Sequence, residues 1–228
     1  MSRTLRSRHV GKPNPSRRIV TGRRDCITGE IPSGKPGMGH RMVAYEGLLA
    51  RDFILLLEQD DAVLRYQEEP VPFRWHDGVR WHTYTPDFAV EIDDGRRLCV
   101  EVKPLKRVIR LGWDEIRPRL AAGAIAAGYH GFELWTEVEI DALRVANAAL
   151  VASERSFVVD EAEQHTIRVV LDRFGGEARV RELRAASGLG TRAFRAVVAL
   201  VARGEAELTE PGRPFDDHAL VRRSPSRR

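Results

Sequence analysis

The 228-residue sequence has few of the residues that build cross-linked or membrane-embedded proteins. It contains two cysteines, Cys26 in a polar segment and Cys99 inside an apolar run. Two cysteines exclude a disulfide framework and a cysteine-rich zinc site. No apolar run approaches the ~20 residues of a membrane-spanning helix, and no apolar segment follows the basic N-terminus as in a signal peptide. These absences predict a cytoplasmic protein with no membrane partner.

Charge is distributed unevenly along the chain. Residues 1–42 carry ten Lys or Arg against two acidic residues, and residues 222–228 add four arginines. Because the whole chain has a net charge of +4, residues 43–221 are acidic, with a net charge of −8. Basic ends around an acidic body indicate a polyanionic partner such as nucleic acid, and a merely solvated basic leader is the alternative interpretation.

Composition and periodicity divide the chain into three regions. Residues 1–42 are rich in Gly, Pro, Ser and Arg and lack apolar periodicity, which predicts a flexible basic arm. Residues 43–152 contain a helix pattern, a series of short strand patterns, and then a helix, a strand and a helix. That order indicates an α/β domain in which helices flank a mixed sheet. At 228 residues the chain is long enough for a second small domain.

Residues 153–228 have a different pattern. Three helices are expected at about 160–173, 178–186 and 191–203, followed by a hairpin with a Pro-Gly turn and a basic tail. Three helices and a β-hairpin predict a winged helix-turn-helix domain. Arg192 and Arg195 open the third helix and are predicted to contact DNA, while docking of this domain to a protein is the alternative.

The stretch "YTPDFAVEIDDGRRLCVEVKP" predicts a β-hairpin that carries an unusual set of charges. A three-residue loop, Asp93 to Gly95 with Gly95 in the left-handed conformation, pairs Phe88 with Val100 and gathers the apolar side chains on one face. A two-residue loop would instead set Phe88 against Glu101. The three-residue register is therefore predicted.

In that register Asp87 lies opposite Glu101, with Cβ atoms ~5 Å apart. Two carboxylates at that distance repel by roughly 3 kcal/mol at an effective dielectric of ~20. A divalent cation reverses the sign, and an all-oxygen ligand set suits Mg²⁺ or Mn²⁺. Lys103 projects from the same face and could orient or deprotonate a water, or neutralise charge on a phosphate. A solvated sheet face is the alternative interpretation.

A third carboxylate comes from residues 42–58, which have the period of a buried helix. Glu46 would lie at the centre of the stripe that faces the sheet, or else point to water from a frayed helix start. Three carboxylates and a lysine form a site for metal-assisted phosphodiester hydrolysis. The cations just past the site are predicted to hold the DNA backbone: Lys106, Arg107 and Arg110.

The motifs "YTPDF" and "VEVKP" resemble those of the PD-(D/E)xK nuclease superfamily, and residues 42–104 are similar to TnsA-type transposon endonucleases. The resemblance implies a restriction-endonuclease-like fold with a C-terminal winged-helix domain. It implies that Asp87 and Glu101 bind metal, that Lys103 is catalytic and that Glu46 is the helix carboxylate. It also implies Mg²⁺-dependent cleavage of the 5′ strands at transposon ends, with a DDE transposase and an AAA+ ATPase as partners.

Two positions depart from the pattern of that family. Ala50 stands where a second glutamate is frequent, and Glu69 stands where a glutamine is usual. The first departure keeps a non-catalytic DNA-binding adaptor open as an alternative function. A stand-alone restriction-like or junction-resolving nuclease is the other alternative.

Overall fold

The chain folds into two compact units, Met1–Ile140 and Asp141–Arg228. This boundary differs from the one predicted after residue 152, because the helix Ala142–Glu154 packs within the second unit. The computed structural model describes residues 12, 14–16, 26–154 and 160–224.

The first unit has a mixed α/β architecture built around one four-stranded sheet. The sheet has the strand order β3-β6-β7-β8, in which β7 and β8 are parallel and the other neighbours are antiparallel. This arrangement confirms the predicted mixed sheet with helices and agrees with a restriction-endonuclease-like fold. The elements are β1 (Thr28–Pro32), β2 (Met42–Glu46), α1 (Leu48–Gln59), β3 (Val63–Glu68), β4 (Phe73–His76), β5 (Trp81–Tyr84), β6 (Phe88–Ile92), β7 (Arg97–Val102), α2 (Leu105–Arg110), α3 (Trp113–Ala126) and β8 (Gly131–Trp135).

The two faces of the sheet pack against different elements. On one face the ring of Phe53 in α1 lies 5.1 Å from Phe88 and 5.0 Å from Trp135. On the other face Ala89 and Cys99 belong to a core shared with α3 and β4. Successive strand residues point to opposite faces, so every second residue of β6 and β7 faces α3.

The hairpin formed by β6 and β7 has the predicted register. Phe88 pairs with Val100 and Val90 pairs with Leu98. Gly95 has φ +85°, a conformation that a residue with a Cβ rarely adopts. The three-residue loop is therefore confirmed, and Asp87 and Glu101 occupy facing positions at the end of the hairpin away from the turn.

The prediction of a helix from residue 42 is wrong in its first turn. Residues 42–46 form β2, which pairs antiparallel with β1 so that Thr28 faces Glu46. Gly47, at φ +94°, separates this strand from α1. Glu46 is thus a strand residue, and the helical stripe that placed it over the sheet does not include it. Moreover, α1 packs on the face with Phe88, opposite to the face that carries Ala89 and Cys99.

The predicted arm is part of the folded unit wherever the structure describes it. Besides β1, Ser16 donates its backbone N–H to the carbonyl oxygen of Glu69 at 2.7 Å. Arg41 binds both carboxylate oxygens of Glu68, at 2.7 and 2.5 Å. The prediction of a flexible arm is therefore wrong for these residues. Residues 1–11, 13 and 17–25 lie outside the described part of the chain.

The second unit contains the helices and the hairpin expected from its sequence. Three short strands form an antiparallel sheet with the order β10-β11-β9. Residues 225–228 of the basic tail lie outside the described residues. The elements are α4 (Ala142–Glu154), α5 (Glu161–Arg173), β9 (Glu177–Arg179), α6 (Val180–Ser187), α7 (Arg192–Ala202), β10 (Ala206–Leu208) and β11 (Leu220–Arg223).

The loop between β10 and β11 is tied to α4 by one buried side chain. Asn147 donates from Nδ2 to the carbonyl oxygens of Pro211 and Arg213, at 2.8 and 2.7 Å, and accepts from the N–H of Phe215 at 2.9 Å. The ring of Phe215 is buried and lies 5.6 Å from Phe194. The loop therefore lies against the helices of its own unit.

Candidate active site

Asp87 is held where the chain enters β6. Its Oδ2 accepts the N–H of Val102 on the neighbouring strand at 2.8 Å. Its carbonyl oxygen accepts the N–H of Glu69 at 2.8 Å. Within the described residues, the second carboxylate oxygen, Oδ1, has no hydrogen-bond partner. Asp87 is thus oriented by the sheet and keeps one oxygen available for a ligand.

Glu101 and Lys103 meet on the face of the sheet that α3 covers. The Nζ atom of Lys103 lies 2.5 Å from Glu101 Oε1, and the hydroxyl of Tyr84 donates to Glu101 Oε2. The same Nζ lies 5.0 Å from the centre of the Trp113 ring. Asp87, Glu101 and Lys103 are therefore brought together as the sequence predicted. Glu101 itself is buried.

Burial dominates the electrostatics of this cluster. It raises the pKa of Asp87 well above its usual value, and the negative charge of Glu101 raises it further. The N–H of Val102 and the charge of Lys103 act in the opposite direction. Burial, with Glu101 second, also raises the pKa of the Tyr84 hydroxyl, so this group stays a hydrogen-bond donor. A cation between the two carboxylates would offset the repulsion that raises the pKa of Asp87.

Burial raises the pKa of the Cys99 thiol to about 12. The thiol is therefore protonated at neutral pH and is a poor nucleophile there.

The oxygen atoms at this site fit a hard divalent cation. Asp87 offers a free oxygen, and Glu101 can exchange its contact with Lys103 for a metal contact. Mg²⁺ often binds through only one or two carboxylates and keeps several waters. Among the described residues no three His, Cys, Asp or Glu side chains converge on one point. Glu46 is therefore not part of a ready-made three-carboxylate site, and its assignment as a metal ligand stays a prediction.

A comparison with known protein families shows which family the segment around this cluster resembles. Residues 60–137 match the family described as TnsA-like endonuclease N terminal. This segment is thus similar to a TnsA-like endonuclease domain. The match includes Asp87, Glu101 and Lys103 and begins after Glu46, so it covers the part of the site that the geometry assembles. A TnsA-like domain points to a nuclease, which is a hydrolase, associated with transposition. No curated protein matches the chain.

Three neighbours of the TnsA-like site were missed from the sequence. Tyr84 and Trp113 contact Glu101 and Lys103 directly. Glu69 is buried, has φ +42° and adds to the negative potential at Asp87. The available signals were the position of Tyr84, three residues before Asp87, and the departure of Glu69 from the family pattern, whereas Trp113 reaches the site through long-range packing.

The cations expected to hold DNA near the TnsA-like site lie on α2, a helix that the sequence pattern did not predict. Lys106, Arg107 and Arg110 are all exposed, and the helix begins two residues after Lys103. They are thus available to a polyanion beside the site. Among the described residues no helix is long and apolar enough to span a membrane.

The two arginines predicted to contact DNA from the second unit have acidic partners. Arg192 binds Glu163 at 2.6 Å and Arg195 binds Glu154 at 2.9 Å. Further along α7, residues 196–200 are all buried, since α4, α5 and α6 pack around this helix. Within α7 only Arg192 and Arg195 are exposed. A role for Arg192 and Arg195 in DNA binding stays a prediction.

Proposed function

We propose that this protein is a Mg²⁺-dependent DNA endonuclease of a heteromeric transposase that cleaves the 5′ strands at transposon ends. Mn²⁺ is expected to substitute for Mg²⁺. One observation supports this most strongly: Asp87, Glu101 and Lys103 meet on one sheet face, within the residues that match the TnsA-like family.

Each residue has a distinct task in this proposal. A bound divalent cation would activate a water and withdraw charge from the phosphate. Asp87 and Glu101 supply its oxygen ligands. Lys103 turns from Glu101 towards the phosphate and neutralises the charge that develops during hydrolysis. The ring of Trp113 holds the Lys103 ammonium near this position by a cation–π contact.

The partners proposed are DNA, a DDE transposase that cleaves the opposite strands, and an AAA+ ATPase regulator. Lys106, Arg107 and Arg110 hold the DNA backbone beside the cleaved bond. We interpret the second unit as a winged-helix domain, since α5, β9, α6, α7 and the β10–β11 hairpin follow that order. The buried middle of α7 favours docking to a protein over insertion of this helix into DNA.

Tyr84→Phe should reduce the cleavage rate about tenfold and leave the fold unchanged. The variant keeps the ring that packs 5.6 Å from Phe73 but loses the hydroxyl that orients Glu101. One lost hydrogen bond to a charged carboxylate corresponds to about 1.5 kcal/mol, or close to a factor of ten in rate when it positions a reacting group. Single-turnover cleavage and a urea titration measure the two effects. A cleavage rate equal to wild type would show that the hydroxyl does not position Glu101.

The function itself is tested with a supercoiled plasmid that carries the transposon end. The protein is incubated with Mg²⁺ and with the proposed partner transposase, and the cleaved strand is mapped by primer extension. We expect breaks on the 5′ strand that require both the metal ion and this protein. Breaks that appear without this protein, or none in the complete mixture, would contradict the proposal.

A further inference from the structure

Strands β4 and β5 form a two-stranded ribbon that is separate from the main sheet. Arg74 pairs with Thr83 and His76 pairs with Trp81. Since residues opposite each other share a face, these four side chains form the outer face of the ribbon, while Phe73, Trp75, His82 and Tyr84 form the inner face. The inner residues are buried or half-buried, and the outer residues are exposed.

The ribbon packs closely against α3. A Cβ atom at Gly123 would lie 2.8 Å from the Cβ of Trp75 and 3.0 Å from the carbonyl oxygen of Arg74. The absence of a side chain at this position therefore lets the strand touch the helix. At the base of the ribbon, Tyr84 donates to Glu101. The ribbon thus has a fixed orientation relative to the active site.

The tip of the ribbon is ordered although it projects into solvent. Asp77 Oδ1 accepts the N–H groups of Val79 and Arg80, at 2.7 and 2.8 Å, and Asp77 Oδ2 lies 2.5 Å from His82 Nε2. Yet Val79 is 88% exposed and the side chain of Arg80 is 77% exposed. These hydrogen bonds set the positions at which Val79 and Arg80 project into solvent.

The charge of the ribbon indicates what class of molecule would bind it. Trp81 is 59% exposed, and the guanidinium of Arg74 lies 5.0 Å from the centre of its ring. Arg119 of α3 donates to the carbonyl oxygen of Asp77. The ribbon and the part of α3 that contacts its tip thus carry three arginines and one carboxylate, Asp77, whose oxygens already bind the tip and His82. A cationic surface with an exposed aromatic ring fits a nucleic acid better than an apolar or basic peptide.

We propose that the β4–β5 ribbon lies in the major groove of the DNA duplex next to the bond that the active site cleaves. The major groove is about 12 Å wide and admits a two-stranded ribbon. Arg74 and Arg80 contact phosphates, and Val79 and Trp81 face the base edges. This inference rests on the proposed nuclease function, because it takes the duplex at the Asp87 site as its substrate.

The test is the affinity of the full-length protein for a mixed-sequence duplex, measured by fluorescence anisotropy over a series of KCl concentrations. The double variant Arg74→Ala/Arg80→Ala should bind about tenfold more weakly or worse at low salt. Its slope of log K against log salt should be smaller by about 2, since each lost phosphate contact removes about 0.9. Equal affinity and slope in the variant and the wild type would overturn the inference, as would a wild type that does not bind the duplex.

Two control variants test whether a loss of duplex affinity is specific to the ribbon and independent of cleavage. Arg96→Ala removes an exposed cation at the β6–β7 turn, the end of the hairpin away from Asp87, and should leave affinity and slope unchanged. Asp87→Asn should keep duplex affinity while losing cleavage, so failure of the nuclease proposal and failure of the ribbon proposal are distinguishable.

The groove is tested with a duplex methylated at guanine N7, an atom in the major groove. Wild type should bind this duplex more weakly than the unmethylated one, and the double variant should bind both alike. Equal wild-type affinity for the two duplexes would contradict the groove assignment.

Discussion

Lys103→Gln should lower metal-dependent strand cleavage by about 10²- to 10³-fold, the usual effect of removing one group that stabilises transition-state charge. Glutamine keeps a donor for Glu101 but has no positive charge for the phosphate. Lys103→Ala is a poorer test, because it leaves the buried carboxylate of Glu101 without its cation and is expected to destabilise the fold. Single-turnover cleavage with Mg²⁺ measures the effect.

Asp87→Asn belongs to the same experiment and should abolish cleavage, since it removes the carboxylate whose Oδ1 is available to the metal ion. Glu91→Gln is the matched control, because this carboxylate lies on β6, the strand that follows Asp87, but is bound to Arg65 at the surface. The control should cleave at the wild-type rate. Wild-type rates in both Lys103→Gln and Asp87→Asn would show that these residues do not carry the reaction.

Arg41→Ala should lower the free energy of unfolding by about 3–5 kcal/mol, the usual cost of removing one partner from a buried ion pair. Its guanidinium binds both oxygens of Glu68 and the carbonyl oxygens of Met42 and Tyr66. The side chain of Glu68 is only 1% exposed, so the variant leaves a buried carboxylate without its cation. Urea denaturation of the first unit measures the effect.

Arg65→Ala is the control for Arg41→Ala. Arg65 also binds a glutamate on a neighbouring strand, but its side chain is 60% exposed. Exposed pairs of this kind contribute little to stability, because solvent screens the two charges. If Arg41→Ala destabilised the protein no more than Arg65→Ala, Arg41 would be a surface cation of a basic arm after all.

The hairpin at the site could be predicted because its determinants are local. The Asp93–Gly95 loop and the alternation of apolar residues specify one register, and that register sets Asp87 against Glu101. The position of Lys103 then follows from the two-residue period of a strand. These inferences need no knowledge of distant parts of the chain, and the structure agrees with the register.

The N-terminal part of the site region could not be predicted in the same way. Residues 42–46 are apolar enough to extend the helix pattern, and only their pairing with Thr28–Pro32 makes them a strand. From the sequence alone Arg41 is interpreted as a solvated cation, because its partner, Glu68, lies far along the chain. In both cases a tertiary contact outweighs the local preference, so Glu46 does not take the helical position from which its role was argued, while the register that sets Asp87 against Glu101 is observed.

The most direct test of the account is a calorimetric titration of the full-length protein with Mn²⁺, which needs neither DNA nor partner proteins. We expect saturable binding to the wild type and to Glu91→Gln. Asp87→Asn and Glu101→Gln should each lose it, because each removes one of the two carboxylates that face each other at the end of the β6–β7 hairpin. A wild type without saturable binding, or variants that bind Mn²⁺ as the wild type does, would contradict the claim that these carboxylates form a metal site.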